Sequence, residues 1–402
     1  MELKTGYKQT EIGVIPSDWE VKTIAEVVEV DPDNLGSSTN SEYEFNYISL
    51  EDVDYGTLRN ISEIVFKNAP SRARRKVKKN DILISTVRPN LKSHLLITND
   101  VFDWVCSTGF SVLRCKSETN SAFLFNHFFA SIINRQIENL ITGSNYPAIN
   151  SKEVKALQIP IPPTLTEQTL IATALSDADA LISSLEKLIA KKRNIKQGAM
   201  QKLLQPKEGW EVKKLGEIAT VVRGASPRPI EDPKWFDENS SIGWVRISDV
   251  TKSVKILTET TQKLSELGIQ SSRYVEEGNL IMSICATVGR PILTKINVCI
   301  HDGFVVFRNP QVEINYLYYF LSFMEKDWSK NGQTGSQMNL NTTLINTTEI
   351  PVPPNKAEQT RIATILSDMD AEIDALETKL EKYKKVKLGM MQNLLTGKIR
   401  LV

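Results

Sequence analysis

The densest chemistry in this sequence is positive charge. Arg72, Arg74, Arg75, Lys76, Lys78 and Lys79 fall within one short run that contains no acid. Groups spaced this way can straddle phosphates, each neutralised phosphate releasing a counterion. A solvated basic loop is the competing reading, and phosphate contact is favoured over it. Smaller groups of the same character follow. Arg88, Asn90 and Lys92 share one turn, Arg223 and Arg228 another, and Arg246 and Arg290 sit beside apolar runs. Two polar loops carry Asn145 with Tyr146, and Gln333, Gln337 and Asn339. Arginine suits guanine and Asn or Gln suits adenine when a base edge is read. The Thr-Gly-Ser in both loops fits a structural turn almost as well.

Other chemistry is poorly supported. Glu20-Val-Lys22 and Glu211-Val-Lys213 have a nuclease-like spacing, but no upstream Asp supports either, and both read as structural openings. The pairs Asp177/Asp179 and Asp368/Asp370 are two apart, and on a helix such residues do not face each other. They read as a solvated face or a docking surface. There is no Gly-x-x-x-x-Gly-Lys-Ser/Thr phosphate loop, no glycine-rich S-adenosylmethionine loop, and no Asn-Pro-Pro-aromatic or Asp-Pro-Pro-aromatic motif. The four cysteines and three histidines lack ligand spacing, so no metal site is expected. The cysteines read as reduced core residues. With a net charge of +1, any nucleic-acid surface must be local. No signal peptide or membrane-length apolar run is seen, and a cytoplasmic protein is expected.

What must position these residues is a repeat. Thr166–Leu204 returns without a gap as Ala357–Leu395, each pair 191 positions apart (359 − 168 for the glutamines). Both copies follow a proline step, Ile159–Pro163 and Ile350–Pro354. Each predicts one helix of about 39 residues, a rod of roughly 58 Å. The expected seam is Ile171, Ala174, Ala178, Leu181, Leu185, Leu188, Ile195 and Ala199 in the first. In the second it is Ile362, Ile365, Met369, Ile373, Leu376, Leu380, Tyr383, Val386 and Met390.

The heads repeat more weakly. Trp19-Glu-Val-Lys22 matches Trp210-Glu-Val-Lys213. Tyr47–Val53 resembles Val245–Val250, Asn80–Ser85 resembles Gly278–Ser283, and Gly109–Arg114 resembles Gly303–Arg308. These short apolar runs predict strands; Phe123–Ala130 and Leu317–Phe323 predict short helices. The lead-in 1–17 reads as extended. The architecture expected is α+β: two pseudo-symmetric heads (1–158 and 206–349) joined by two long antiparallel coiled-coil helices (159–205 and 350–402). The end of the second rod should return beside the start of the first head.

Pro160, Pro163, Glu167, Gln168, Ile171, Asp177 and Asp179, repeated as Pro351, Pro354, Glu358, Gln359, Ile362, Asp368 and Asp370, resemble the specificity subunit of type I restriction–modification enzymes. The resemblance spans the chain. It implies that each head recognises half of a bipartite target in double-stranded DNA. The helices would set the gap and dock two modification subunits, with Glu167, Gln168, Asp177, Glu358, Gln359 and Asp368 as the docking residues. Restriction subunits would complete the assembly. The chain itself would hold no cofactor, S-adenosylmethionine belonging to the modification subunit and ATP with Mg to the restriction subunit. The heads differ away from the repeat, so an asymmetric target is expected, its half-sites about 10 bp apart. Two rivals are a duplicated stand-alone nuclease or methyltransferase, and a scaffold that assembles proteins without DNA.

Overall fold

A computed structural model describes residues 5–141, 147–331 and 340–401. The chain divides into two compact units. The first holds 1–186 and 378–402, the second 187–377.

In the first unit the lead-in is a hairpin, Tyr7–Thr10 against Gly13–Pro16. The head carries two four-stranded sheets. One runs Leu95–Leu96, Ile82–Ser85, Phe110–Cys115, Val28–Val30; the other runs Ser62–Val65, Glu44–Ile48, Trp104–Ser107, Ala73–Val77. Among the described residues, the one parallel pairing in these two sheets joins Trp104–Ser107 to Glu44–Ile48. The second unit repeats this layout. A five-stranded sheet centres on Leu280–Ser283 and Phe304–Arg308, and a four-stranded one pairs Gly243–Val245 with Val298–Ile300 in parallel. The expected strands form, except that both heads leave the sheet early. Strand Glu44–Ile48 ends and Leu50–Asp52 is a 3-10 turn; strand Gly243–Val245 stops early and Ile247–Lys252 is helical. Asp249 accepts a hydrogen bond from the Arg246 amide at 2.9 Å, and Asp52 does the same for Ser49 at 2.8 Å. This carboxylate cap at the start of each turn or helix takes the chain out of the sheet.

The predicted short helices also form; the first stops at His127, before Phe128, and is followed by a second helix, while the one in the second head is longer than expected. In the first unit they are Ser121–His127 and Ser131–Leu140; in the second, one helix spans Ile314–Asn331.

Each proline step is a strand of a two-stranded ribbon, Gln158–Ile161 against Glu20–Thr23 and Glu349–Val352 against Glu211–Lys214. Such edges tolerate proline, which donates no ladder bond. The long helices then begin. They span Leu165–Leu203 and Lys356–Leu394, 39 residues each. Thr164 Oγ1 accepts from the Glu167 amide at 3.2 Å and Asn355 Oδ1 from the Glu358 amide at 2.8 Å, satisfying donors that a helix start leaves open.

In both units the two long helices pack antiparallel. The first unit pairs Asp179 with Lys387 and Glu186 with Lys384; the second pairs Lys192 with Glu372 and Lys196 with Asp370. The seam differs from the expected one at every second position of the first helix. The inward line passes through Ile171, Leu175, Ala178, Ile182, Leu185, Ile189, Lys192, Lys196 and Ala199, leaving Leu181, Leu188 and Ile195 exposed. In the second helix Leu366 and Lys387 replace Ile365 and Val386. Lysine holds seam positions because its stem packs while its ammonium meets a carboxylate across the pair.

The first core joins Ile15, Trp19 and Ile24 to Phe123, Phe128, Ile171 and Leu175, and to Met391, Leu394 and Leu395 from the other end of the chain. Tyr7 donates to the Gly397 carbonyl at 3.1 Å. A Cβ on Gly397, whose φ is +68°, would meet Pro16 Cγ at 2.4 Å. Glycine is needed there on both counts. The expected return to the first head is met. In the second unit Leu204, Leu215, Tyr316, Tyr319, Ile362 and Leu366 build the corresponding core.

Candidate nucleic-acid interface

The basic run is a strand rather than a loop. Ala73–Val77 pairs antiparallel with Trp104–Ser107, so its side chains alternate between faces. Arg75 points inward and pairs with Asp31 at 2.7 Å, its side chain only 14 % exposed. Asp31 also accepts from the Val112 amide (2.8 Å) and from Ser151 Oγ (2.7 Å). The Arg75 charge is used inside the head, which corrects its reading as a phosphate ligand. Lys78 pairs with Asp33 at 3.1 Å and Lys79 with Asp100 at 2.9 Å. Arg74 stacks over Phe66 at 4.9 Å, and Lys76 lies 5.8 Å over Tyr43. Arg72 is exposed just before the strand.

Arg88, Asn90 and Lys92 lie on the turn after strand Ile82–Ser85. Arg88 and Lys92 adopt left-handed backbone, φ +49° and +55°, flanking a short 3-10 turn. Arg88 and Asn90 are exposed and Lys92 half-buried. Arg88 lines a depression with Glu51, Asp54, Arg59 and Leu91. Asn145, Tyr146, Gln333, Gln337 and Asn339 lie outside the described residues.

In the second unit, three of the four expected site arginines meet at one place. Asp302 is the centre. Its backbone carbonyl accepts from Arg223 Nε at 2.8 Å, and its carboxylate accepts from Ser226 Oγ at 2.7 Å and from Arg228 Nη2 at 3.4 Å. The Ser226 bond holds the Asp302 carboxyl below its ordinary pKa, and Arg228 adds to this. A cavity of about 480 Å³ opens here, lined by Ser226, Arg228, Ile230, Trp244, Arg246, Ile247, Ser248, His301 and Asp302. Trp244 is 2 % exposed and forms part of its base. Arg246 is exposed and donates through Nε to Gln262 Oε1 at 2.5 Å. Gly224 permits the layout: a Cβ there would fall 2.0 Å from the His301 carbonyl. Arg290 lies elsewhere, half-buried, donating to the Ser253 carbonyl at 3.3 Å. Asp302, His301 and Gln262 were not among the expected site residues. The available signal was that Asp302-Gly-Phe stands where the first head has Thr108-Gly-Phe.

The strand registers set the same place in the first head. Cys106 faces Ile48 as Ile300 faces Val245. Tyr47, Ser49, Ser107 and Thr108 therefore stand where Trp244, Arg246, His301 and Asp302 stand.

The expected docking residues divide. Gln168 and Gln359 are buried and tie helix to head. Gln168 accepts from the Asn120 amide (2.9 Å) and donates to the Glu118 carbonyl (3.1 Å); Gln359 accepts from the Glu313 amide (2.7 Å) and donates to the Pro353 carbonyl (3.2 Å). Glu167 is 1 % exposed and pairs with Arg400, which also reaches Asp18 at 3.0 Å. A partner cannot reach these three side chains, so they are corrected from docking residues to internal fasteners. Glu358 pairs with Arg361 on its own helix. Asp177 and Asp368 are exposed.

Glu20 with Lys22, and Glu211 with Lys213, form local ion pairs on edge strands. All four cysteines are free thiols; Cys106 and Cys299 are buried, Cys115 and Cys285 half-buried. Among the described residues no His, Cys, Asp and Glu cluster could hold a metal ion, and no helix is long and apolar enough to cross a membrane.

Comparison with known proteins gives a consistent result. The family model described as the type I restriction modification DNA specificity domain matches residues 16–197 and again 207–385. The chain is 25 % identical to a putative type I restriction enzyme MjaX specificity subunit from Methanocaldococcus jannaschii, covering 98 % of this chain and 97 % of that protein. It is 23 % identical to the HindI specificity subunit of Haemophilus influenzae, covering 84 % and 90 %. Among solved structures, a chain described in work on complex assembly and conformational transition of the type I R-M system aligns at a TM-score of 0.69, with 22 % identity over 96 % of this chain and 99 % of that one. The HsdS subunit of Thermoanaerobacter tengcongensis aligns at 0.54, with 23 % identity over 96 % and 98 %.

Proposed function

Since the chain belongs to the type I restriction–modification DNA specificity family, as its non-catalytic subunit with two target-recognition domains, we propose that each head reads one half of a bipartite, asymmetric target. Phosphate contacts set register and loop side chains address base edges. In the first head the contributors are Arg72, Arg74, Lys76, Arg88 and Asn90, together with Asn145 and Tyr146. In the second they are Arg223, Arg228 and Arg246, with Gln333, Gln337 and Asn339. The paired long helices fix the unread gap, and their exposed acids, Asp177 and Asp368, face the modification subunits. S-adenosylmethionine acts in those subunits, and ATP with Mg in the restriction subunits. Adenine methylation there requires the base to be flipped out of the duplex.

One observation carries the asymmetric reading. The two heads share a strand layout, yet equivalent positions hold Tyr47, Ser49 and Thr108 in one and Trp244, Arg246 and Asp302 in the other. A common frame with different polar groups is what two readers of different sequence need.

The test is exchange of residues 18–158 for the head of another family member. Methylated motifs are then mapped in DNA treated by the assembled complex. One half-site should change, with the other half-site and the gap retained. Change in both half-sites, or in neither, would refute the proposal. Lengthening the first long helix by one or two turns should alter the gap alone.

A further inference from the structure

We infer that the Asp302 pocket of the second head reads one G·C base pair, with Arg246 donating to guanine and Asp302 accepting from the N4 amino group of its cytosine. This rests on the reading of that head as a DNA reader, and it names the base pair and the residues.

The argument begins with the balance of charge. Arg228 and Arg246 line the cavity with their side chains exposed, which alone would suit a phosphate. Asp302 lines the same cavity, its carboxylate bonded to Ser226 and Arg228 and held below its ordinary pKa by the Ser226 bond. A phosphate entering there would meet a like-charged carboxylate at short range. A base pair carries no net charge and offers both partners at once. Guanine presents two acceptors, O6 and N7, and cytosine one donor, N4. The pocket presents the complement, a guanidinium fork and an acceptor.

Positioning supports Arg246 over Arg228 as the guanine ligand. Among the described residues, its side chain is hydrogen-bonded only through Nε, to Gln262 on the adjacent strand. Both Nη groups remain for a bidentate contact, and the fork is held in place before DNA arrives. Its backbone is fixed as well, by the hydrogen bond its amide donates to the Asp249 carboxylate. Arg228 is 74 % exposed and reaches Asp302 only at 3.4 Å. That long contact can yield when cytosine takes the same oxygen. The first head has Ser49 and Thr108 at the positions of Arg246 and Asp302, so it cannot read the same pair in this way.

The test selects bound duplexes from a library with randomised half-sites. It uses the full chain assembled with its modification subunits. Wild type should show one invariant G·C pair in the half-site assigned to the second head. R246A should relax that position alone, with roughly tenfold or greater loss of discrimination. R246K keeps the charge without the fork. It should relax the same position while leaving the salt dependence unchanged. Equal weakening at every position by R246A would make Arg246 a phosphate clamp and overturn the inference. So would an R246K profile identical to wild type. Should R246A abolish binding outright, R246K decides. A parallel chain with residues 206–349 exchanged separates the two claims. If the exchange moves neither half-site, the reading of the head fails; if it moves one and R246K relaxes nothing, only this inference fails.

Discussion

Lys387 pairs with Asp179 across the long helices of the first unit, and Lys196 pairs with Asp370 in the second, each residue 191 positions from its counterpart. Glu186 with Lys384 and Arg193 with Glu377 repeat in the same way. The duplication has kept a pattern of contacts as well as a sequence. The two sites are not equal in energy, however. Asp370 also accepts from Tyr319 at 2.6 Å, and its side chain is 16 % exposed against 53 % for Asp179.

Asp370→Asn should therefore cost about 2 kcal/mol of stability, the scale of a buried charged hydrogen bond. Asp179→Asn should cost about 0.5 kcal/mol, the scale of an exposed pair. Urea denaturation of both variants provides the comparison. Equal costs would mean that Tyr319 adds nothing.

Arg400 is the one described cation bonded to the carboxylate of Glu167, which lies almost wholly out of solvent. Arg400→Ala strands that charge and should destabilise the first unit by about 3 kcal/mol or more. Glu167→Gln combined with Arg400→Met should recover most of the loss, because neither partner is then left charged. Thermal unfolding of the single and double variants measures this. A double variant no better than Arg400→Ala would locate the cost in packing.

Gln168→Ala and Gln359→Ala each remove the bond made to a backbone amide and the one made to a carbonyl. A loss of about 1–3 kcal/mol is expected from each. Affinity for the modification subunit, measured well below the melting temperature, should not change. A large loss of affinity in a fully folded variant would return these residues to a docking role.

The sequence made the repeat plain because helix-period apolar residues recur over many turns. It did not settle which line faces inward. Leu181 and Ile182 are both apolar, as are Leu188 and Ile189, so two seams one residue apart fit the pattern. Packing against the second helix selects the line with Lys192 and Lys196, which an apolar count passes over. The docking glutamines were misplaced for a similar reason. A polar residue at a helix start looks solvated until the head that covers it is present. Arg75 looked like part of a basic surface because Asp31, its partner, is distant in sequence.

Acid should weaken the first unit through two histidines. His94 and His127 are enclosed, and burial pushes both pKa values down to about 3. Among the described residues neither ring nitrogen of His127 has a hydrogen-bond partner; His94 Nδ1 accepts from the Ser85 amide at 3.1 Å. Unfolded, each protonates near pH 6.5. Between pH 6.5 and about 3 the unfolded chain binds more protons. Stability is therefore full above pH 6.5 and falls as pH drops, by up to about 1.4 kcal/mol per unit for each histidine. His127→Leu should roughly halve the histidine part of that slope between pH 6.5 and 5. An unchanged slope in urea titrations would show that His127 already protonates in the fold.

Arg72 and Arg75 are three residues apart and should behave in opposite ways. Arg72 is exposed, whereas Arg75 is held by Asp31 inside the head. If Arg72 neutralises one phosphate, Arg72→Ala removes about one counterion from the release on binding. The slope of log affinity against log salt then becomes shallower by about 1, and affinity falls evenly across sequences. Arg75→Ala removes no phosphate contact and leaves that slope unchanged. It instead leaves Asp31 without its cation, 16 % exposed at the side chain, and should cost about 2 kcal/mol or more in stability. Salt titrations of the assembled complex on one duplex, with unfolding curves for both variants, separate the two roles. A shallower slope for Arg75→Ala with stability intact would place Arg75, and not Arg72, on the DNA.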